Sequence, residues 1–258
     1  MDRPKADSVL LFSGLDPSGA AGISADIETI NQFGLSPHPI ITTLTAQNTQ
    51  RVESIEVVKD SLLEQQFNLI VEDILFNTVK IGLLGSESQI KTISRLISKI
   101  NPVNVIVDPI LISGTQDNLS SIKMIEAMKN YLFPKSLLLT PNLEELTLLA
   151  PGLSEQEAVK SLNCTWTLVT TSDSSKIDIE HRLYNKSTLV RKFKYKKIVG
   201  KFHGSGCTLT SAISALLVKG ADIEEACDQG LAYTYQCLLN AKKLGKMQYH
   251  PIRTPYKS

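Results

Sequence analysis

"SVLLFSGLDPSGAAGISAD", residues 8–26, joins an unbroken apolar run to a glycine-punctuated turn and then to a helical pattern. The run at 8–13 does not alternate, as expected of a strand buried on both faces. Residues 23–33 carry helical spacing. Strand, turn and helix in that order open an α/β unit, and the chain repeats the order. Strand-like runs follow at 38–45, 78–84, 103–109, 136–140 and 166–171, with helical patterns between them at 60–75, 86–99, 119–131 and 142–149. Alternation of this kind predicts a central, mostly parallel sheet with helices on both faces. Two late runs, 181–185 and 187–195, are joined around Asn185–Lys186 and read as an antiparallel pair. Helices at 206–219 and 223–243 close the chain, with Gly220 placed as a C-terminal cap. No repeat, low-complexity tract or linker interrupts the 258 residues, which read as one domain over 1–258.

Composition narrows the function. A 42% hydrophobic content supplies a sizeable core. A formal net charge of +1 gives no electrostatic footprint for nucleic acid. No apolar run approaches the roughly 20 residues that span a bilayer, so no membrane partner is expected. "MDRPKADSVLLF" (1–12) lacks the basic start and cleavage site of a signal peptide. Cys164, Cys207, Cys227 and Cys237 follow no zinc or disulfide spacing, which fits reduced thiols in the cytoplasm.

In such sheets ligands bind beyond the carboxyl ends of the strands, so the loops there carry the chemistry. "GLDPSGAAGISAD" (14–26) is neither GxGxxG nor a P-loop. It reads either as a ligand-approaching loop or as a plain turn with Asp16 and Ser18 capping the helix. "TAQNT" (45–49) offers the amides of Gln47 and Asn48, able to read the edge of a heteroaromatic ring or to shape a polar turn. "DPILISGT" (108–115) puts a carboxylate at a strand end, where a phosphate-linked Mg²⁺ could sit. In "TPNLEE" (140–145), Asn142 and Glu145 have the spacing of a capping box, with an outer-shell Mg²⁺ site as the alternative. In "FHGSGCTLTSA" (202–212), Gly204, Ser205 and Gly206 precede Cys207 at a helix start. Free N–H groups and the helix dipole make an anion site there, and a cysteine so placed reads either as a thiol of lowered pKa or as a small buried residue. His203 is left open between a phosphate contact and a turn residue.

"DPSGAAGISAD", "TAQNT", "VKIGLLG", "VDPILISG", "TPNLEE" and "HGSGCTL", in this order over about residues 8–242, resemble the blocks of the ribokinase-like superfamily. Within it, the chain is most similar to the hydroxymethylpyrimidine/phosphomethylpyrimidine kinases of thiamin synthesis. The resemblance implies a three-layer α/β/α fold, usually homodimeric, that moves the γ-phosphoryl of ATP, with Mg²⁺, onto a hydroxymethyl-pyrimidine or its monophosphate. By position it implies that Gly14, Asp26 and Gln47 contact the pyrimidine. Asn142 and Glu145 match the element that organises Mg²⁺, and Asp108 a carboxylate near the phosphates. Gly204, Ser205, Gly206 and Cys207 match the anion hole, with Cys207 where sugar-kinase relatives carry an Asp base. Two family lysines are replaced: Thr170 stands where "KGGH" is usual, as a threonine does in sugar kinases and with the nucleotide role retained, and Ile112 follows "DPIL". The pyridoxal kinases, which share the cysteine, and a non-catalytic pyrimidine binder are the other readings.

Overall fold

A computed structural model describes residues 7–111, 119–171 and 177–254. Its first strand shows how the layers arise. In β1 (Ser8–Leu15), Leu10 and Phe12 enter one apolar core while Val9 and Leu11 enter another. Successive side chains leave a strand on opposite faces, so an unbroken apolar run must be covered twice. The face of Val9 and Leu11 is covered by α1 (Gly22–Gln32), α7 (Ser205–Val218) and α8 (Ile223–Leu239). The face of Leu10 and Phe12 is covered by α2 (Asp60–Asp73), α3 (Glu87–Ile100), α4 (Ile122–Ala127), α5 (Leu143–Leu149) and α6 (Glu155–Ser161). This is the three-layer arrangement expected from the sequence.

The remaining strands are β2 (Ser36–Gln47), β3 (Val52–Val57), β4 (Thr78–Ile81), β5 (Asn104–Val107), β6 (Leu138–Leu139), β7 (Trp166–Val169), β8 (Asp178–Asn185) and β9 (Thr188–Lys196). They lie in the order β3-β2-β1-β4-β5-β6-β7-β8-β9. Strands β2, β1, β4, β5, β6 and β7 run parallel, while β3, β8 and β9 pair antiparallel with their neighbours. β1 has β2 on one side and β4 on the other, so the chain reverses its direction of travel across the sheet there. A reversal of this kind opens a crevice at the carboxyl ends of the strands.

Several boundaries differ from expectation for physical reasons. β3 and α6 were not anticipated. β3 is a polar edge strand without clean alternation, and α6 is a short polar helix that buries Ala158 and Val159. The helix expected over 119–131 is α4 followed by one π turn (Met128–Leu132) and a 3₁₀ turn ending at Lys135. α8 stops at Leu239 rather than 243 because the chain folds back: Lys242 pairs with His250, and the Ile252 N–H bonds the Cys237 carbonyl. Gly220 does close α7, with the N–H groups of Gly220 and Ala221 reaching the carbonyls of Leu217 and Leu216.

Phe67 of α2 stacks on Phe12 at 6.3 Å, and both are fully buried. Phe67→Ala is expected to cost about 3–5 kcal/mol. Chemical denaturation should show this as a lower midpoint at unchanged slope.

Candidate active site

The first turn of α7 organises the crevice. Gly204 is its N-cap, at φ 84°, and no side chain caps it. A helix leaves its first N–H groups without intrahelical partners, so this end presents donors and a positive dipole. Gly204 is required there twice over. Its φ is left-handed, and a Cβ would lie 1.9 Å from the Ala20 carbonyl oxygen. The helix start is therefore pressed onto the loop that follows β1. Ser205 is half-buried and Gly206 is exposed, while Cys207 is 5% exposed and packs with Ala21, Ala25 and Ile110.

Behind this turn lies a buried charge network. Lys80 of β4 and Asp26 of α1 are both fully buried, with Lys80 Nζ 2.9 and 2.8 Å from the two carboxylate oxygens. Ser211 of α7 donates to Asp26 Oδ1 at 2.8 Å. The other buried hydroxyls of this helix, Thr208, Thr210 and Ser214, bond back to carbonyls four residues earlier. Ser211 instead ties α7 to α1 and, through Asp26, to β4. Burial works to lower the Lys80 pKa, but Asp26 outweighs it, with Cys207 and Asp108 adding, and the ammonium is held well above its ordinary value.

The strand ends supply two more carboxylates. Asp108 follows β5 and lies against the helix start, where a Cβ on Gly206 would be 3.2 Å from its Oδ2. Burial pushes Asp108 up to about 6, with Lys80 opposing and Asp26 reinforcing the rise. Glu145 lies in the first turn of α5. It forms the capping box with Asn142: the Asn142 N–H donates to Glu145 Oε2 at 2.9 Å, and the Glu145 N–H donates to Asn142 Oδ1 at 2.8 Å. Burial and the Asp108 charge raise Glu145 well above the carboxylate range, against the N–H groups of Asn142 and Leu111. Two buried carboxylates that push each other toward the neutral form are a donor set a divalent cation would relieve. Mg²⁺ therefore fits Asp108 and Glu145. Thr170, at the end of β7, bonds through its backbone to Pro141 and Leu143 at the start of α5.

Two expectations are corrected here. Cys207 does not have a lowered pKa: burial pushes the thiol up to about 12, against the pull of Lys80 and of the Gly22 N–H, with the Asp26 and Asp108 charges adding to the rise. Asp16 and Ser18 do not cap α1, whose N-cap is Ala21 without a side-chain bond. Asp16 instead accepts from the N–H and hydroxyl of Ser18 and from the Ala21 N–H, at 2.8, 2.8 and 2.9 Å. His203 Nε2 lies 3.0 Å from Asp16 Oδ2. Burial raises the Asp16 pKa, but His203 and Ser18 outweigh it and leave it lowered.

The expected pyrimidine residues are placed unequally. Gly14 lies at the end of β1, where a Cβ would meet Thr43 Oγ1 at 2.3 Å. Gln47 ends β2, half-buried, beside a register shift opposite β3. Asn48 is consumed by the β2–β3 turn, its Oδ1 accepting from the N–H groups of Gln50 and Arg51. Asp26 is fully enclosed with Lys80 and Ser211, beneath the crevice. Ile112 and the end of its loop, like residues 172–176, lie outside the described residues.

Lys80, Ser211 and Arg253 escaped the sequence reading. A single lysine within the apolar run "TVKIGLL" (78–84) signals a buried, paired charge. Arg253 had no such signal. Its guanidinium bonds Ala20 O, Thr208 Oγ1 and Glu28 Oε2 at 2.5, 3.0 and 2.8 Å.

Comparison with known proteins shows the family and the fold. The profile of a family described as phosphomethylpyrimidine kinase matches residues 16–253. A hydroxymethylpyrimidine/phosphomethylpyrimidine kinase of Mycobacterium bovis is 31% identical over 248 residues, covering 92% of this chain and 90% of that protein. A putative kinase of the same description from Schizosaccharomyces pombe is 27% identical, and the chain spans 47% of its length. The crystal structure of phosphomethylpyrimidine kinase from Clostridium difficile superimposes with a TM-score of 0.76 at 30% identity, covering 88% of this chain and 97% of that one. The Bacillus subtilis pyridoxal kinase in its ADP complex shares the fold, with a TM-score of 0.87 at 22% identity, over 96% of this chain and 97% of that one.

Gly204→Ala must either push Ala20 aside or abandon the left-handed turn. A loss of about 2 kcal/mol or more is expected. Calorimetry should show this as a lower Tm, and titration with ATP should show weakened binding.

Proposed function

The chain belongs to the phosphomethylpyrimidine kinase family, phosphotransferases of thiamin synthesis, and from that membership we propose how its own residues carry out the transfer. The acceptor is the hydroxymethyl group of 4-amino-5-hydroxymethyl-2-methylpyrimidine, or the phosphate of its monophosphate, and the donor is ATP. The observation that carries this reading is the meeting of three features: the α7 N-terminus, the Asp108 carboxylate against Gly206, and Cys207 in the same turn.

The acceptor oxygen attacks the γ-phosphorus, the bond to the β-γ bridging oxygen breaks, and ADP leaves with that electron pair. The N–H groups of Ser205, Gly206 and Cys207 point at the charge that develops on the transferred group. Asp108 and Glu145 would hold Mg²⁺ through its waters, and the ion when bound supplies positive charge beside the phosphates. The start of α5, braced by the Thr170 backbone, borders the nucleotide side. Gly14 and Gln47 border the pyrimidine side, and Asp26 acts beneath it by fixing Lys80. When the acceptor is the hydroxymethyl group, Cys207 takes its proton as a thiolate. Burial makes that thiolate a minority species at neutral pH, but a strong base when formed. The family resemblance further supports a homodimer acting in the cytoplasm as one catalytic unit.

Purified protein with Mg²⁺, ATP and the pyrimidine alcohol is expected to yield the monophosphate and then the diphosphate, read by mass, ahead of pyridoxal run in parallel. Binding of the pyrimidine without turnover would instead support a sensor. With burial pushing the thiol up to about 12, the thiolate fraction should rise about tenfold per pH unit below that value. The log of kcat for the alcohol should therefore climb with slope about 1 from about pH 7 to 9. Cys207→Ala should flatten the profile and lower the rate by about 10²- to 10⁴-fold. A flat wild-type profile would assign the step to positioning alone.

A further inference from the structure

The chain after α8 does not trail away. It crosses to the β2–β3 turn, where the Met247 N–H meets Thr49 Oγ1 at 3.5 Å. It then runs beside the segment that leads into α7: Tyr249 pairs with Phe202, its N–H bonds Lys201 O, and its carbonyl accepts from the His203 N–H. Arg253, 5% exposed, is then lodged between the loop after β1 and the first turn of α7.

Every nitrogen of the Arg253 guanidinium has a different partner. Nη2 donates to the Ala20 carbonyl, Nε to Thr208 Oγ1, and Nη1 to Glu28 of α1. The Thr208 hydroxyl in turn donates to the Gly204 carbonyl at 2.8 Å. Ala20 O is also the atom that a Cβ on Gly204 would strike. One side chain thus grips both loops that meet at the anion hole, at the point where they touch. A rigid planar fork suits this task because three acceptors are fixed by one group. Charge acts in the same direction. A buried carbonyl oxygen carries negative partial charge, and here it lies directly beneath donors meant for a phosphate. Arg253 bonds that oxygen and brings a positive charge to the first turn of α7. Its anionic partner among the described residues, Glu28, is 45% exposed at the outer end, so water screens that side more than the inner one.

We propose that Arg253 is a positioning residue for phosphoryl transfer, holding the loop after β1 and the α7 N-terminus in the register that forms the anion hole. It touches neither substrate nor transferred group. This rests on the kinase reading above, but half of its test does not.

Three variants, Arg253→Ala, Arg253→Lys and Glu28→Gln, are compared with the wild type by hydrogen exchange and by steady-state kinetics. In Arg253→Ala, amides in peptides covering 14–26 and 202–212 should exchange faster while those of β4 and β5 keep their protection. That result needs no turnover. In kinetics, kcat should fall about 10- to 100-fold, with KM for the pyrimidine changed much less. Added methylguanidinium should restore part of the lost rate. Arg253→Lys, which keeps charge but not the fork, should fall between, and Glu28→Gln should stay within about threefold, since the two inner bonds remain. Unchanged exchange in both loops of Arg253→Ala would overturn the proposal. So would a kcat within twofold of wild type, or loss of protection spread evenly across the sheet in both Arg253 variants. An inactive wild type would refute the kinase reading and leave the exchange result to decide the positioning role.

Discussion

A lysine and an aspartate with no access to water hold the centre of this protein together. Lys80 comes from β4, beside the point where the sheet reverses. Asp26 comes from α1, and Ser211 of α7 completes the cluster. Desolvation of two isolated charges there would cost several kcal/mol for each. The pairing at 2.8 Å, with the Ser211 hydroxyl on the carboxylate, offsets that cost. Such a pair adds little net stability compared with apolar residues of the same shape. Its consequence is specificity: only one placement of α1, β4 and α7 satisfies all three groups. That placement puts the N-terminus of α7 at the carboxyl ends of β4 and β5.

The rest of the crevice is built outward from that placement. Asp108 meets Gly206, the Ala20 carbonyl meets Gly204, and Cys207 is enclosed between them. Lys80 is also the positive charge that tempers the Cys207 thiol and the Asp108 carboxyl, both of which burial drives toward their neutral forms. Asp108 and Glu145, whose carboxyls burial drives toward the neutral form, thus stand beside a helix end that favours anions. Such a helix end suits the phosphoryl chemistry of the family.

Much of this was legible in the sequence. The unbroken strand runs marked a sheet covered on both faces, and the loops after those runs marked the crevice. The asparagine and glutamate of 142–145 announced their capping box by spacing. What escaped depended on contacts between distant segments. Asp26 was expected at the pyrimidine, and nothing in the sequence showed its pairing with Lys80, fifty-four positions away. The dipole argument for Cys207 was sound locally but lost to burial, which spacing does not reveal. Arg253 stands in a tail without periodicity, and its partners are spread over residues 20, 28 and 208. β3 and α6 were missed because their sequences are polar. For α6, the "SEQE" at 154–157 was a usable signal, since it forms a capping box.

The most direct test of this account is a double-mutant cycle on the central pair, using Lys80→Met, Asp26→Leu and the combined variant, with stability and phosphoryl transfer measured on each. Each single change strands a buried charge and should cost about 3–5 kcal/mol. The double variant should be no less stable than either single one, yet remain impaired in transfer because the α7 N-terminus has lost its anchor. Additive losses in stability, or full transfer by the double variant, would show that the pair does not set the geometry of the site.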